Sequence, residues 1–132
     1  MPDRNLTVLV VDDAALFRQR IIRLLNEQHL HPVLQARNYE EAISWLQNAT
    51  IDLVLLDISM PGKSGIQLLK LIKNRYPAIK VWIISNHADD HYKKICIASG
   101  ADHFFDKSLD FEEVEYRLTT IGNDIQKTEI AE

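Results

Sequence analysis

Leu53-Val54-Leu55-Leu56-Asp57 is apolar at four consecutive positions and ends on a carboxylate. Four residues are too few for a helix, and an unbroken rather than alternating apolar run is the pattern of a strand covered on both faces. The run opens at residue 51 and is interrupted by Asp52. Residues 6–11, apart from Thr7, and residues 81–84 have the same character, and shorter apolar segments lie at residues 33–36 and 104–105.

The intervening segments have helical spacing. The first carries Phe17, Ile21, Leu24 and Leu25 on one face, with Arg18, Gln19 and Arg23 elsewhere. In the second, Asn38 as N-cap and Glu41 three residues later form a capping-box pattern ahead of Ala42, Ile43, Trp45 and Leu46, and Trp45 is expected to pack. The third starts near Ser64, carries Ile66, Leu69 and Ile72, and stops at Tyr76-Pro77, where the proline ring disfavours helical geometry at the residue before it. The fourth runs from Asp89 or Asp90 through Tyr92, Ile95 and Cys96 and is closed by Gly100 in the left-handed conformation. The last pairs Asp110 with Glu113 as a second capping box and presents Phe111, Val114, Leu118 and Ile121. Beyond Gly122 the chain turns polar, so residues 1–122 are expected to form the domain and residues 123–132 a frayed tail. Five strands alternating with five helices imply an α/β fold, a doubly wound parallel sheet with right-handed crossovers. Periodicity leaves the strand order open.

Composition narrows the function. At 132 residues the chain is one ordinary domain, 46% hydrophobic and 26% charged. A net charge of -4 without a basic cluster argues against direct nucleic acid binding by this chain. Cys96 is the only cysteine, which excludes an intramolecular disulfide and fits the reducing cytoplasm. Met1-Pro2-Asp3-Arg4-Asn5 lacks the apolar core of a signal peptide, and no apolar run is long enough for membrane insertion. His29, His31, His87, His91 and His103 show no tight ligand spacing and read as surface or packing residues. Gly62-Lys63-Ser64 resembles the end of a phosphate-binding loop, but the glycine required five positions earlier is Asp57.

In doubly wound sheets ligands bind beyond the carboxyl ends of the strands. Four of the five strands, the first, third, fourth and fifth, end there in Asp12-Asp13, Asp57, Ser85-Asn86 and Asp106-Lys107. Asp52 belongs to the opposite edge, about 16 Å from Asp57 at strand rise. Carboxylates gathered about 4 Å apart repel by about 4 kcal/mol per pair at an effective dielectric of about 20. An oxygen-only cluster of this kind suits a hard cation such as Mg²⁺, and a lysine adds a point charge for a phosphoryl group. Each residue also has a bland reading. Asp12 or Asp13 would cap the first helix, Asp57 would be a turn aspartate, Ser85 an ordinary strand end, Lys107 a solvated charge and Phe104 plain core.

From residue 6 to residue 121 the chain resembles the receiver domain of two-component response regulators. The resemblance is carried by Val10-Val11-Asp12-Asp13, Leu55-Leu56-Asp57-Ile58-Ser59-Met60-Pro61-Gly62, Ser85, Gly100-Ala101 and Phe104-Phe105-Asp106-Lys107. It implies a flavodoxin-like strand order of 2-1-3-4-5, with Asp12-Asp13 and Asp57 on adjacent strands. It makes Asp57 the phosphoacceptor, loaded from a sensor histidine kinase or a histidine phosphotransfer protein. Mg²⁺ would be bound by Asp13, Asp57 and the Ser59 main-chain carbonyl, with Asp12 acting through a metal-bound water. Ser85 and Lys107 would hold the phosphoryl oxygens, and Ser85 and Phe104 would form the switch toward an unknown downstream protein. Ser59 and His87 would flank the phosphoryl group and set the dephosphorylation rate.

Two departures matter. Ser108 stands where the family often has proline, and a cis bond before serine would cost about 3 kcal/mol, so the loop is expected to take another path. Phe104 replaces a frequent tyrosine and removes one hydroxyl from the active state. Two other functions compete with a signalling switch that assists only its own phosphotransfer and slow autodephosphorylation. One is a phosphorelay intermediate or phosphate sink. The other is a haloacid-dehalogenase-like hydrolase, which usually has a second acid two residues after its nucleophile, where this chain has Ser59.

Overall fold

The computed structural model describes the backbone of residues 4–60 and 64–130 and the side chains of residues 6–60 and 64–121. Pro61 and Gly62 of the expected motif and Lys63 of the rejected phosphate-loop match lie outside the described residues. Strands and helices alternate as β1 (Arg4–Val11), α1 (Ala15–Glu27), β2 (Leu30–Ala36), α2 (Tyr39–Asn48), β3 (Leu53–Leu56), α3 (Gly65–Arg75), β4 (Lys80–Ser85), α4 (Asp90–Ala98), β5 (His103–Asp106) and α5 (Phe111–Ile130). The five described strands are parallel and ordered β2-β1-β3-β4-β5, the doubly wound arrangement implied by the resemblance.

The unbroken apolar run of β3 has a direct cause. Leu53 and Leu55 pack with Val8, Val10, Trp82, Ile84 and Phe105 against Ile21, Leu24 and Leu25 of α1 and Val114 and Leu118 of α5. Val54 and Leu56 point the other way, joining Leu9, Val11, Val81 and Ile83 against α2, α3 and α4 through Ala42, Leu46, Leu68, Leu69, Ile72 and Cys96. Both faces of the strand are therefore dry, and each buried Leu contributes about 1.5–3 kcal/mol relative to exposure. No helix among the described residues is long and apolar enough to cross a membrane.

Several local expectations are met by specific contacts. Ser64 and Gln67 form the reciprocal capping box of α3, Asp89 accepts the Tyr92 amide at 3.0 Å, and Gly100 takes φ +104° after α4. Tyr76 ends α3 ahead of Pro77. Others differ. Asn38 caps α2 by accepting the Glu41 amide at 2.9 Å, but Glu41 returns its carboxylate to the Arg37 amide at 2.7 Å and to the Arg37 guanidinium. Asp110 turns its carboxylate to the Asp106 amide at 2.7 Å, so its partner is upstream of the helix instead of Glu113. Trp45 is 37% exposed and anchors by its indole N–H, which donates to the Gln35 carbonyl at 2.7 Å. Arg18 is buried on the same face as Ile21 and Leu25. The backbone of α5 continues past Gly122 to Ile130, since one glycine costs a helix only about 1 kcal/mol.

Candidate functional site

Register places the acids. Val11 pairs with Leu56 across β1 and β3, so Asp12 and Asp57 are the next residues on neighbouring strands, and the Asp57 amide donates to the Val11 carbonyl at 3.0 Å. Ligand oxygens of Asp12, Asp13 and Asp57 lie within 4.8 Å of one another. Asp12 and Asp57 are buried, at 2% and 4% exposure, whereas Asp13 is open to solvent. Neither Asp12 nor Asp13 is the N-cap of α1: that position is Ala14, without a side-chain bond. Asp12 Oδ1 instead accepts the Ala14 amide at 2.8 Å, a turn ahead of the helix that leaves the Asp13 carboxylate in the cluster. At the other end of β3, Asp52 accepts the Thr7 amide at 2.9 Å, well away from the site.

Lys107 brings the charge. Its ammonium lies 2.7 Å from Asp12 Oδ2 and 3.3 Å from Asp57 Oδ2, and 4.4 Å from the centre of the Phe17 ring. Burial opposes the ammonium charge, but Asp12 and Asp57 outweigh it and hold Lys107 above its ordinary pKa. Asp12 is held above the usual carboxylate range, first by burial and then by the charge of Asp57, with Lys107 and the Ala14 amide opposing. Its Oδ2 is buried and has no directed hydrogen bond, so the 2.7 Å contact with Lys107 is ionic in character. Two buried acids against one lysine leave an excess of negative charge facing the exposed Asp13. A hard cation fits this all-oxygen set, because it would answer the excess charge.

Of the remaining expected residues, Ser59 and Ser85 meet at the same strand ends. Asp57 Oδ1 accepts the Ser59 amide at 2.9 Å, which fixes the carboxylate in the β3–α3 turn. The Ser85 hydroxyl, fully buried, lies 3.1 Å from the Ser59 hydroxyl and accepts the His87 amide at 3.0 Å. The His87 side chain is exposed, its ring edge-on to Tyr92. Phe104 is half-buried on the α2, α3, α4 side of the sheet, the face opposite to that of Phe105. The histidines belong to no acidic or metal-ligating group among the described residues, and His103 packs against Trp82 and Phe105. The bonds before and after Lys107 are trans, and the loop that follows is closed by backbone amides that donate to the carboxylates of Asp106 and Asp110.

Two site residues were not singled out from the sequence. The buried Arg18 donates to the Asp12 carbonyl at 2.6 Å and to the Gln35 side chain at 3.2 Å, bracing the end of β1 from below. Its spacing of three and seven from Ile21 and Leu25 was the available signal, masked by its charge. Gly65, at the start of α3, lies where a Cβ would stand 2.5 Å from both the Asp57 carbonyl oxygen and Ile58 Cα. Only a residue without a side chain allows the helix to approach the main chain of Asp57 this closely.

The comparisons with known proteins agree with this geometry. The chain is 32% identical over 114 residues to the two-component response regulator PhoP of Pseudomonas aeruginosa, covering 86% of this chain and 50% of that protein. It is 31% identical over 114 residues to a cyclic di-GMP phosphodiesterase of Thermotoga maritima, covering 86% of this chain and 30% of that protein. The chain thus spans half or less of the length of these two relatives. Among solved structures, response regulator TrrA from Thermotoga maritima in complex with Mg²⁺-BeF is 30% identical, with a TM-score of 0.77 and coverage of 87% of this chain and 97% of that one. The family model of the response regulator receiver domain matches residues 8–119, and the chain belongs to that family.

Proposed function

We propose that this protein is a phosphorylation-dependent signalling switch of the cytoplasm, in which Asp57 accepts a phosphoryl group from a histidine kinase or histidine phosphotransfer protein. The observation that carries the reading is the position of Lys107, whose ammonium faces both Asp57 and Asp12 at the ends of the two central strands. Residues 1–122 form the receiver unit and residues 123–132 its polar extension. Downstream, the phosphorylated form changes its affinity for a partner protein, and this chain makes no direct contact with nucleic acid.

The chemistry follows from which atoms are engaged. Asp57 Oδ1 is tied to the Ser59 amide, so Oδ2, on the Lys107 side, is the oxygen available for attack. The new bond joins Oδ2 to phosphorus as the bond between phosphorus and the donor histidine nitrogen breaks, and that nitrogen keeps the electron pair. Lys107 then exchanges part of its contact with Asp57 for a phosphoryl oxygen. Asp12, Asp13, Asp57 and the Ser59 carbonyl would hold Mg²⁺, which when bound supplies charge neutralisation for the transferring group. Hydrolysis by water restores the Asp57 carboxylate and releases inorganic phosphate. Ser59 and His87 border that approach and tune its rate.

The same atoms supply the switch. A phosphoryl dianion on Asp57 attracts the Ser85 hydroxyl, which must leave the Ser59 hydroxyl and the His87 amide to reach it. The space vacated on that side admits the half-buried ring of Phe104. Mass spectrometry after acetyl phosphate and Mg²⁺ tests the core of the reading. One phosphoryl adduct is expected in the wild type and none in Asp57→Asn; an adduct that persists in the variant would overturn it.

A further inference from the structure

Lys107 is held by main-chain contacts that its neighbours arrange. Asp106 closes β5, opposite Ser85 of β4, and its Oδ1 accepts the amides of Ser108 at 2.8 Å and Leu109 at 3.1 Å. Asp110 returns the interaction: its Oδ2 accepts the Asp106 amide at 2.7 Å, and its own amide donates to the Asp106 carbonyl at 2.9 Å. These four bonds tie residues 106–110 into one closed turn with Lys107 inside it. The Lys107 amide donates to the Ser85 carbonyl at 3.0 Å, extending the sheet ladder by one residue.

Apolar packing contributes little to this hold. Leu109, at the tip of the turn, is 82% exposed, and Ser108 is exposed as well. Carboxylates accepting backbone amides make charge-assisted bonds, stronger and shorter than neutral ones. A lysine stem is flexible, so its ammonium acts as a fixed charge only where the start of the stem is fixed. Here the start is fixed on one side by Ser85 and on the other by Asp106, which leaves the stem to run inward past Phe17 to the two acids.

We propose that Asp106 and Asp110 form a reciprocal carboxylate clamp that positions Lys107 over Asp12 and Asp57, making Asp106 a positioning residue for phosphoryl acceptance. The inference rests on the phosphoacceptor reading of Asp57, and two separate measurements keep the two distinguishable. The first is the initial rate of Asp57 phosphorylation by acetyl phosphate with Mg²⁺, on the full chain. Asp106→Ala is expected to be about tenfold slower than wild type, because a misplacement of about 1 Å can cost about 100-fold and loss of the clamp displaces the ammonium by less. Asp106→Asn keeps the Oδ1 acceptor and restores most of the rate. The double variant Asp106→Ala with Lys107→Ala is expected to be no slower than Lys107→Ala alone, because the clamp acts only through the lysine. A wild-type rate in Asp106→Ala, or the same loss in the Lys107→Ala background, overturns the proposal.

The second measurement needs no phosphodonor. Amide hydrogen exchange at Ser108 and Leu109 is expected to accelerate in Asp106→Ala and to stay slow in Asp106→Asn; unchanged exchange in Asp106→Ala overturns the clamp. A wild type that takes no phosphoryl group removes the functional reading and leaves this arm to decide the clamp alone. If Asp106→Ala does not fold, Asp110→Ala replaces it. Faster exchange at the Asp106 amide with slower phosphorylation supports the proposal, and wild-type values of both overturn it.

Discussion

His103 faces Trp82 edge-on at 5.3 Å between ring centres and lies 5.7 Å from Phe105. Burial among these rings lowers its pKa, Arg117 adds to the effect, and Asp102 and Glu113 oppose it. The folded protein therefore prefers the neutral imidazole. The stability this provides is complete above the unfolded value of about 6.5 and is lost as pH falls through the depressed folded value. Urea unfolding at about pH 7.5 and about pH 5.5 is expected to show a larger loss for wild type than for His103→Gln; equal losses would contradict the assignment. Cys96 is fully buried, and burial pushes its thiol up to about 11. Iodoacetamide at about pH 8 should leave the folded protein unmodified and alkylate it once denaturant is added, because the thiolate is the reactive form. The meeting of Asp12, Asp57, Ser85 and Lys107 was legible in the sequence because each ends or directly follows a strand, and strand ends can be counted off an apolar run. Arg18 was not, because a charged side chain is ordinarily assigned to solvent, and only the tertiary fold supplies the Asp12 carbonyl that receives it.

At the scale of elements, β3 and the start of α3 carry the site between them. Leu56 of β3 has no solvent exposure and abuts Asp57 directly in sequence. Leu56→Ala is expected to cost about 2–5 kcal/mol of unfolding free energy, read from the urea midpoint at constant slope. Gly65→Ala should behave differently, since both atoms that the new Cβ would meet belong to the backbone of residues 57 and 58. Overpacking of this kind costs about 1–3 kcal/mol, and here it also pushes on the main chain that carries Asp57. The expected outcome is slower acetyl phosphate labelling in the fraction that remains folded; a labelling rate equal to wild type would show that α3 yields without moving Asp57. The three inner strands were readable because central parallel strands are apolar on consecutive positions, and the two edge strands showed only as short apolar segments. Their order was not, since periodicity reports which faces are covered and says nothing of which strand lies beside which; the order came with the resemblance. The reciprocal partners of Asn38 and Asp110 were equally hidden. A capping box is a local pattern, and Arg37 and Asp106 compete for the same carboxylates at equally short range.

For the molecule as a whole, the site is a local concentration of charge that the fold tolerates. Asp12, at 2% exposure and with its carboxyl held above the usual range chiefly by burial, is a net cost to the folded state when ionised. Asp12→Asn is therefore expected to raise the melting temperature of the metal-free protein at neutral pH. Mg²⁺ should do the same to the wild type for a different reason. A ligand that binds only the folded state stabilises it by about 2.7 kcal/mol at a free concentration about 100 times its Kd. For a chain of 132 residues that corresponds to an upward shift of about 10 °C. The two effects have the same sign but exclude each other, because Asp12→Asn removes part of the charge that makes the cation favourable. Thermal unfolding of wild type, Asp12→Asn and Asp13→Asn, each with and without Mg²⁺, separates them. Asp12→Asn should melt higher than wild type without metal and gain less from it. Asp13→Asn, whose carboxylate is exposed, should match the metal-free wild type and lose most of the Mg²⁺ shift. Undiminished Mg²⁺ shifts in both variants would place the cation elsewhere. A metal-free Asp12→Asn that melts below wild type would mean that its contacts with Lys107 and the Ala14 amide stabilise more than its burial costs.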